Sequence, residues 1–264
     1  MATLVRAPEA APPRSTRDRR IHDVAVVAGP ALLAVALCLI QLTSRSLWLD
    51  EAATVAIAGQ HGSALWSAIA HDGGNMLGYY ALLHVVIEWF GDGALAIRVP
   101  SVLAAGAAAG AVALLGLRLF DRRVGLASGL LTAVSLPLVF WGQDARGYAA
   151  MVALVAGSFV AFAALVESGG RRARIAYVVL TTLAVYASFV AVLVVPAQLA
   201  ALAWRRQSWR RVVSALAACA VCWIPRMRPA PRAPAATTAC ATPARPVAPA
   251  GPAPQRSSRT PRAS

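Results

Sequence analysis

The sequence contains no lysine: all 25 basic residues are arginine, set against 11 acidic residues for a formal net charge of +14. Charged residues make up only 14% of the chain, whereas a soluble domain uses roughly a quarter to cover its surface. That deficit excludes a water-soluble fold for most of the chain. A basic balance of this size also raises nucleic-acid binding. The arginines cluster, however, at Arg17–Arg20, Arg118–Arg123, Arg171–Arg174 and Arg205–Arg211, between apolar runs. Membrane proteins place their cytoplasmic anchors there, so no nucleic-acid partner is expected. The lack of lysine beside abundant alanine and arginine reads as GC-rich coding, not as a physical requirement.

Cysteine is equally scarce. Cys38, Cys219, Cys222 and Cys240 make no disulfide framework, and the CxxC of Cys219 and Cys222 sits in an apolar helical run without a second pair. Metal or redox use needs partners that are missing, so these are read as buried small side chains. Walker, GxGxxG and zinc motifs are absent, and neither His71 nor His84 has metal-type spacing.

What the chain has in quantity is apolar sequence: 58% hydrophobic residues and a mean hydropathy of +0.61. Runs near or above the ~18–20 residues that cross a bilayer recur along it. The first, Val24–Thr43, holds no ionisable residue. It is long and is followed by no small-x-small cleavage site, so it is read as an uncleaved span and not a signal peptide.

The arginine clusters set the expected topology. RDRR before the first span places the N-terminus in the cytoplasm. Spans are then expected at Ala94–Leu117, Val124–Trp141 and Ala149–Val166, twice within Ile175–Trp204 with a break near Tyr186–Phe189, and at Val212–Ile224. The stretch Gly74–Phe90 is short, holds His84 and Glu88, and carries Tyr79, Tyr80 and Trp89. It is expected to lie along the interface. The fold class is therefore all-α: a polytopic transmembrane helical bundle of about seven spans, with interfacial helices in a first external loop, Ser44–Gly93. Eight spans, with Gly74–Phe90 crossing, is the open alternative. Residues 1–23 are expected to be a disordered cytoplasmic N-terminus and 24–225 the transmembrane module. Residues 226–264, rich in Ala, Pro and Arg with no acidic or aromatic residue, cannot bury enough apolar area to order themselves. They read as a frame-shifted translation, with a genuine disordered tail as the alternative.

Under this topology the polar residues gather outside. Adjacent acids in SLWLDEA, Asp50 and Glu51, suit a base that takes a proton from a hydroxyl, although Asp50 also fits a helix N-cap. In WGQDARGYAA, Arg146 stands where a span enters the membrane. A guanidinium grips phosphate in two-point fashion there, or snorkels to lipid headgroups. Arg98 in ALAIRVPS has a similar position. External carboxylates with external arginines suggest a site for a lipid phosphate bearing a polar group.

LWLDEA, HDGGNMLGYYALLH, FGDGALAIRVPSVLAA and WGQDARGYA occur in that order. In this respect residues 24–225 resemble the polyprenyl-phosphate-sugar-dependent glycosyltransferases, GT-C membrane enzymes related to protein O-mannosyltransferases and aminoarabinose transferases. The resemblance implies transfer of a mannose- or arabinose-type sugar from a polyprenyl-phosphate donor to a protein, lipid or glycan acceptor. The enzyme would sit in the plasma membrane with its active site extracytoplasmic. By the same resemblance Asp50 is the catalytic carboxylate of an inverting displacement, and Glu51 supports it or helps to hold a divalent cation. Arg98 and Arg146 stabilise the departing phosphate, while His71, Tyr79, Gln143, Asp144 and Tyr148 line the site. Two departures stand out. Many members begin the Tyr-Tyr segment with His-Pro-Pro, where this chain reads His71, Asp72, Gly73, Gly74, Asn75. Members also continue with further spans, so the resemblance implies a member truncated at its C-terminus. The rival readings are a membrane transporter, which would carry ionisable groups at mid-membrane, and an inactive truncated scaffold.

Overall fold

The computed structural model describes residues 16–44, 46–204 and 209–227, and among these the chain is helical with no strand. Helix α1 (Thr16–Leu39) leads to α2 (Leu49–Ala58), α3 (Gly62–His71) and α4 (Leu77–Phe90). Then follow α5 (Ala94–Leu119), α6 (Arg122–Ala133), α7 (Leu136–Gly142), α8 (Tyr148–Ser168) and α9 (Arg171–Ala187). A 3-10 turn (Phe189–Leu193), α10 (Val194–Trp204) and α11 (Trp209–Met227) complete the order.

Among the described residues, three helices are long and apolar enough to cross a membrane: α1 from Arg17, α5 and α8. A fourth span is formed if α6 and α7 are counted together, since they pass the same test but are bent by 58°. The expected span at Val124–Trp141 is thus a broken one, interrupted at Val134 and Ser135 ahead of Pro137. Pro137 has no N–H to donate back to the last turn of α6, and it is tolerated in the first turn of a new helix, where it stands in α7. The all-α membrane fold stands, with three or four candidate spans by length and composition among the described residues. Helix α4 has 14 residues, roughly 21 Å at 1.5 Å per residue, which is short of the ~30 Å hydrocarbon core. The expected break near Tyr186–Phe189 is present as an extended residue, Ser188 at φ −162° and ψ 141°.

The N-terminal helix begins at Thr16, ahead of the expected Val24. Arg122 donates from Nε to Asp23 Oδ1 at 2.7 Å and from Nη2 to the Arg19 carbonyl at 2.9 Å. This docking on α6 carries the basic segment into the helix. The part of the expected disordered N-terminus before Thr16, and the expected tail beyond Met227, lie outside the described residues.

Helix α5 is the hub, packing on α1, α6 and α8. Its inner face is Ala and Gly: Ala105, Ala108, Ala109 and Ala113 are fully buried against Ala34, Cys38 and Ala133. In a bilayer the hydrophobic effect does not drive helices together, so small residues that let backbones approach closely supply the packing. Gly129 of α6 shows how tight this is. A Cβ added there would lie 2.6 Å from Ala113 Cβ and 2.8 Å from Pro30 Cγ. A second cluster joins α2, α3 and α4 to the start of α5 through Ala58, Leu65, Met76, Tyr79, Leu83 and Ile97. The loop into α4 turns through left-handed Gly73 and Gly74 and through Met76 at φ 58°, a conformation that glycine adopts freely and methionine does not.

Gly129→Val overfills the junction of α1, α5 and α6. A loss of about 1–3 kcal/mol is expected, read as a lowered thermal midpoint in detergent, with Gly129→Ala intermediate.

Candidate active site

The segment SLWLDEA starts α2. Trp48 holds an extended backbone at φ −72° and ψ 160° as the N-cap, so Asp50 falls in the first turn and is not the cap. Glu51 reaches back to accept from the Trp48 N–H at 3.3 Å, the return half of a capping box. Successive residues on a helix point about 100° apart. Turning Glu51 inward therefore turns Asp50 outward: Glu51 is fully buried, while the Asp50 side chain is 69% exposed.

Glu51 meets Arg98 of α5 in a two-point ion pair, Arg98 Nε to Oε1 at 2.9 Å and Nη2 to Oε2 at 2.6 Å. The two side chains are 1% and 2% exposed. Arg98 Nη1 also donates to the Leu42 carbonyl at 2.6 Å and Nη2 to the Ser46 carbonyl at 3.5 Å. The Ala145 N–H donates to Glu51 Oε1 at 2.8 Å. Arg98 is thus turned into the protein, tying together the linker after α1, α2 and α5. It is not turned toward a ligand as a phosphate clamp would be. Glu51 does not fit the role of a cation ligand either: each of its oxygens already accepts two hydrogen bonds. Among the described residues, no group of three His, Cys, Asp or Glu could hold a metal ion.

The link between α7 and α8 brings three consecutive residues to this pair. Gly147 permits the approach, since a Cβ there would lie 2.9 Å from the Ala187 carbonyl oxygen and 3.2 Å from Tyr79 Cβ. Arg146 Nη1 stands 2.7 Å from Asp50 Oδ2, with its side chain 18% exposed. Its Nε is buried without a hydrogen-bond partner. The guanidinium carbon lies 5.6 Å from the centre of the Tyr148 ring, a cation–π distance, and Tyr148 packs on Trp141 at 4.3 Å between ring centres.

Asp144 completes the group. Its Oδ1 is buried without a donor, and its carboxyl lies within hydrogen-bonding reach of Glu51. Two carboxylates have no proton to share, so this contact is satisfied when one of them is protonated. Burial first, then the Glu51 contact and charge, push Asp144 up to about 7, against the pull of Arg146 and Arg98. Burial pushes Glu51 up too, but the hydrogen bonds from Arg98, Ala145, Asp144 and Trp48 outweigh it and hold Glu51 well below the usual carboxylate range. Of the two carboxyls, Asp144 is the one pushed toward its protonated form.

The remaining expected residues have plain positions. Tyr79 is buried and its hydroxyl is 2.9 Å from Ser101 Oγ, which donates to the Arg146 carbonyl at 3.2 Å. Gln143 Nε2 donates to the Cys38 and Ile40 carbonyls at 3.2 and 2.8 Å and so holds the end of α1. His71 is exposed and bonded through Nδ1 to the Ser67 carbonyl of its own turn at 2.7 Å. Sequence reasoning missed Ser101 and the Ala145 N–H. Ser101 lies one helical turn after Arg98, and that spacing is the one signal that could have found it. A backbone amide leaves no trace in sequence.

Residues 76–227, more than half of the chain, match the model of a family described as dolichyl-phosphate-mannose-protein mannosyltransferase. The matched stretch contains Tyr79, Arg98 and Gln143–Tyr148 and begins after Asp50 and Glu51. No curated protein and no solved structure matches the chain.

Two outcomes are expected at the buried pairs. Arg98→Met leaves Glu51 ionised and unpaired in the interior, at a cost of about 3–5 kcal/mol, measurable as lost folded protein in detergent. Arg98→Met with Glu51→Gln restores part of it. For Asp144, the folded-state value lies above the ordinary 3.8. Its contribution to stability is therefore complete below about pH 4 and is lost as pH rises through about 7. The wild-type thermal midpoint should fall over that window, and the Asp144→Asn midpoint should fall less; parallel curves would remove Asp144 as the proton holder.

Proposed function

The chain belongs to the dolichyl-phosphate-mannose-protein mannosyltransferase family, and from that premise we propose that it moves a mannose-type sugar from a polyprenyl phosphate to a hydroxyl on the extracytoplasmic face. The coarser statement is secure: the chain is a GT-C membrane glycosyltransferase of the polyprenyl-phosphate-sugar class. An arabinose-type sugar is the other donor that the sequence resemblance allows. The acceptor is a protein, lipid or glycan.

The observation that carries the reading is the Asp50–Arg146 pair, a solvent-facing carboxylate 2.7 Å from a guanidinium whose Nε is buried and unpartnered. In the proposed reaction, Asp50 accepts the proton of the acceptor hydroxyl. The hydroxyl oxygen forms a bond to the anomeric carbon as the bond from that carbon to the phosphate oxygen breaks. The electron pair leaves on the phosphate, which gains charge in the transition state. Arg146, already positioned over Tyr148, supplies N–H donors to that charge. One displacement on one face inverts the anomeric configuration. Arg98 acts on this reaction only through Glu51, by positioning.

The two ends of the helices support the proposed orientation. Helix α1 begins in Arg17–Arg20 and α5 ends at Arg118, whereas Arg98 and the site lie at the opposite end of α5. With arginines inside, the N-terminus is cytoplasmic and the site faces outward, in the plasma membrane. Family membership removes the transporter reading.

Asp50→Asn should lower transfer from a polyprenyl-phosphate sugar about 10²–10⁴-fold, the range for losing a general base, with the amount of folded protein unchanged. Wild-type transfer retained by the variant would take Asp50 out of the mechanism, and absence of transfer by the wild type would favour the scaffold reading. Arg146→Lys should keep a cation but lose two-point donation, falling between wild type and Arg146→Ala.

A further inference from the structure

Arg146 sits in a link whose backbone ought to be loose. Gly147 follows it, and glycine restrains its own dihedrals least of all residues. Space requires that glycine, because a Cβ there would lie 2.9 Å from the Ala187 carbonyl oxygen and 3.2 Å from Tyr79 Cβ. A guanidinium on a soft link keeps one direction only if the peptides beside it are fixed. Three contacts fix them, one on each successive peptide unit. The Ala145 N–H donates to Glu51 Oε1 at 2.8 Å. The Arg146 N–H turns back to the Asp144 carbonyl at 2.8 Å. The Arg146 carbonyl, next to the glycine, accepts from Ser101 Oγ at 3.2 Å.

The third contact comes from α5. Ser101 is fully buried and stands one turn beyond Arg98, on the same face. A serine hydroxyl has a single proton. Because that proton goes to the Arg146 carbonyl, the Tyr79 hydroxyl, 2.9 Å away, must be the donor in the contact between them. The result is a directed series, from the Tyr79 O–H to the Ser101 O–H to the Arg146 carbonyl, in which each bond polarises the next. Burying two hydroxyls costs free energy unless both are paired, and alanine and phenylalanine would fill the same places without that cost.

We infer that Ser101 and Tyr79 are positioning residues for Arg146. Helix α5 then holds the link at two points: at Ala145 through Arg98 and Glu51, and at Arg146 through Ser101. The second point fixes the direction in which the guanidinium faces Asp50, 2.7 Å away, and the donor phosphate. This rests on the proposed function, which places the departing phosphate at Arg146. Neither hydroxyl reaches the sugar or the phosphate. Their effect falls on the transition state, where the phosphate gains charge and a misaimed donor loses most.

The test is a double-mutant cycle on the full chain in lipid nanodiscs, with mannose on a polyprenyl phosphate as donor. Ser101→Ala should lower kcat about tenfold and change KM by less than about twofold, the scale of one hydrogen bond and a small misplacement. Tyr79→Phe, which keeps the ring and leaves Ser101 in place, should lower kcat about threefold. In an Arg146→Ala background both losses should vanish, since a residue that acts only through Arg146 has nothing left to position. Losses that persist in that background would mean that the hydroxyls support the fold or act on another group. Single variants with wild-type kcat would mean that the contact is incidental. Either result overturns the inference. If the wild type transfers no sugar, the proposed function fails, and the inference is judged by NMR on the ¹⁵N-arginine-labelled chain. The Arg146 Nε–H signal, identified by its loss in Arg146→Ala, should shift or broaden in Ser101→Ala and in Tyr79→Phe, and an unmoved signal overturns the positioning role.

Discussion

The buried Glu51–Arg98 ion pair is the constraint on which the candidate site depends. An ionised carboxylate in the interior is tolerated only with its partner and with its remaining lone pairs occupied. Here Arg98 supplies two contacts while Trp48 and Ala145 supply backbone N–H groups. The consequences spread along the chain in both directions. Because Glu51 points in, its neighbour Asp50 points out. Because Ala145 is held by Glu51, its neighbour Arg146 arrives beside Asp50. Because Arg98 also takes the Leu42 and Ser46 carbonyls, the linker from α1 is anchored at the same point. One pair of charges thereby sets the relative positions of α2, α5 and the link between α7 and α8.

The helices behind it are arranged to make such a point possible. Alanine and glycine on α1, α5 and α6 bring their backbones close, which leaves the polar contacts concentrated at one end of α5. Asp50 and Arg146 sit outside the long helices α1, α5 and α8, and the Asp50 side chain is 69% exposed. Asp144 adds a second carboxyl beside Glu51, and burial together with the Glu51 charge pushes it toward its protonated form.

Much of this was legible in the residues, and the reasons for the rest are physical. The spans at α5 and α8, the short α4 and the extended break at Ser188 follow from apolar run length and from the positions of charged and aromatic residues. The bend at Ser135 was missed because a single run, Val124–Trp141, was counted by length, and Pro137 was not weighed against it. The start of α1 was placed late because Arg17–Arg20 was read as a solvated flank, whereas Arg122 docks it on α6. At the site, Asp50, Asp144, Arg146, Tyr79 and Tyr148 all lie around one point. Arg98 and Glu51 were assigned outward roles, whereas their side chains face each other in a buried ion pair. Spacing along the chain cannot reveal that two charged groups on α2 and α5 face each other. His71 was expected to line the site by the family resemblance, and its ring is bonded to the Ser67 carbonyl of its own helical turn.

On the proposed reading, this chain has one general base and one anion-holding arginine on a shared face. Such an arrangement suits a single displacement. The most direct measurement is the anomeric configuration of the product, read by NMR after transfer from a lipid-phosphate sugar of known configuration by the membrane-embedded chain. The account predicts inversion. Retention would require a covalent sugar–protein intermediate, and would contradict the role given to Asp50.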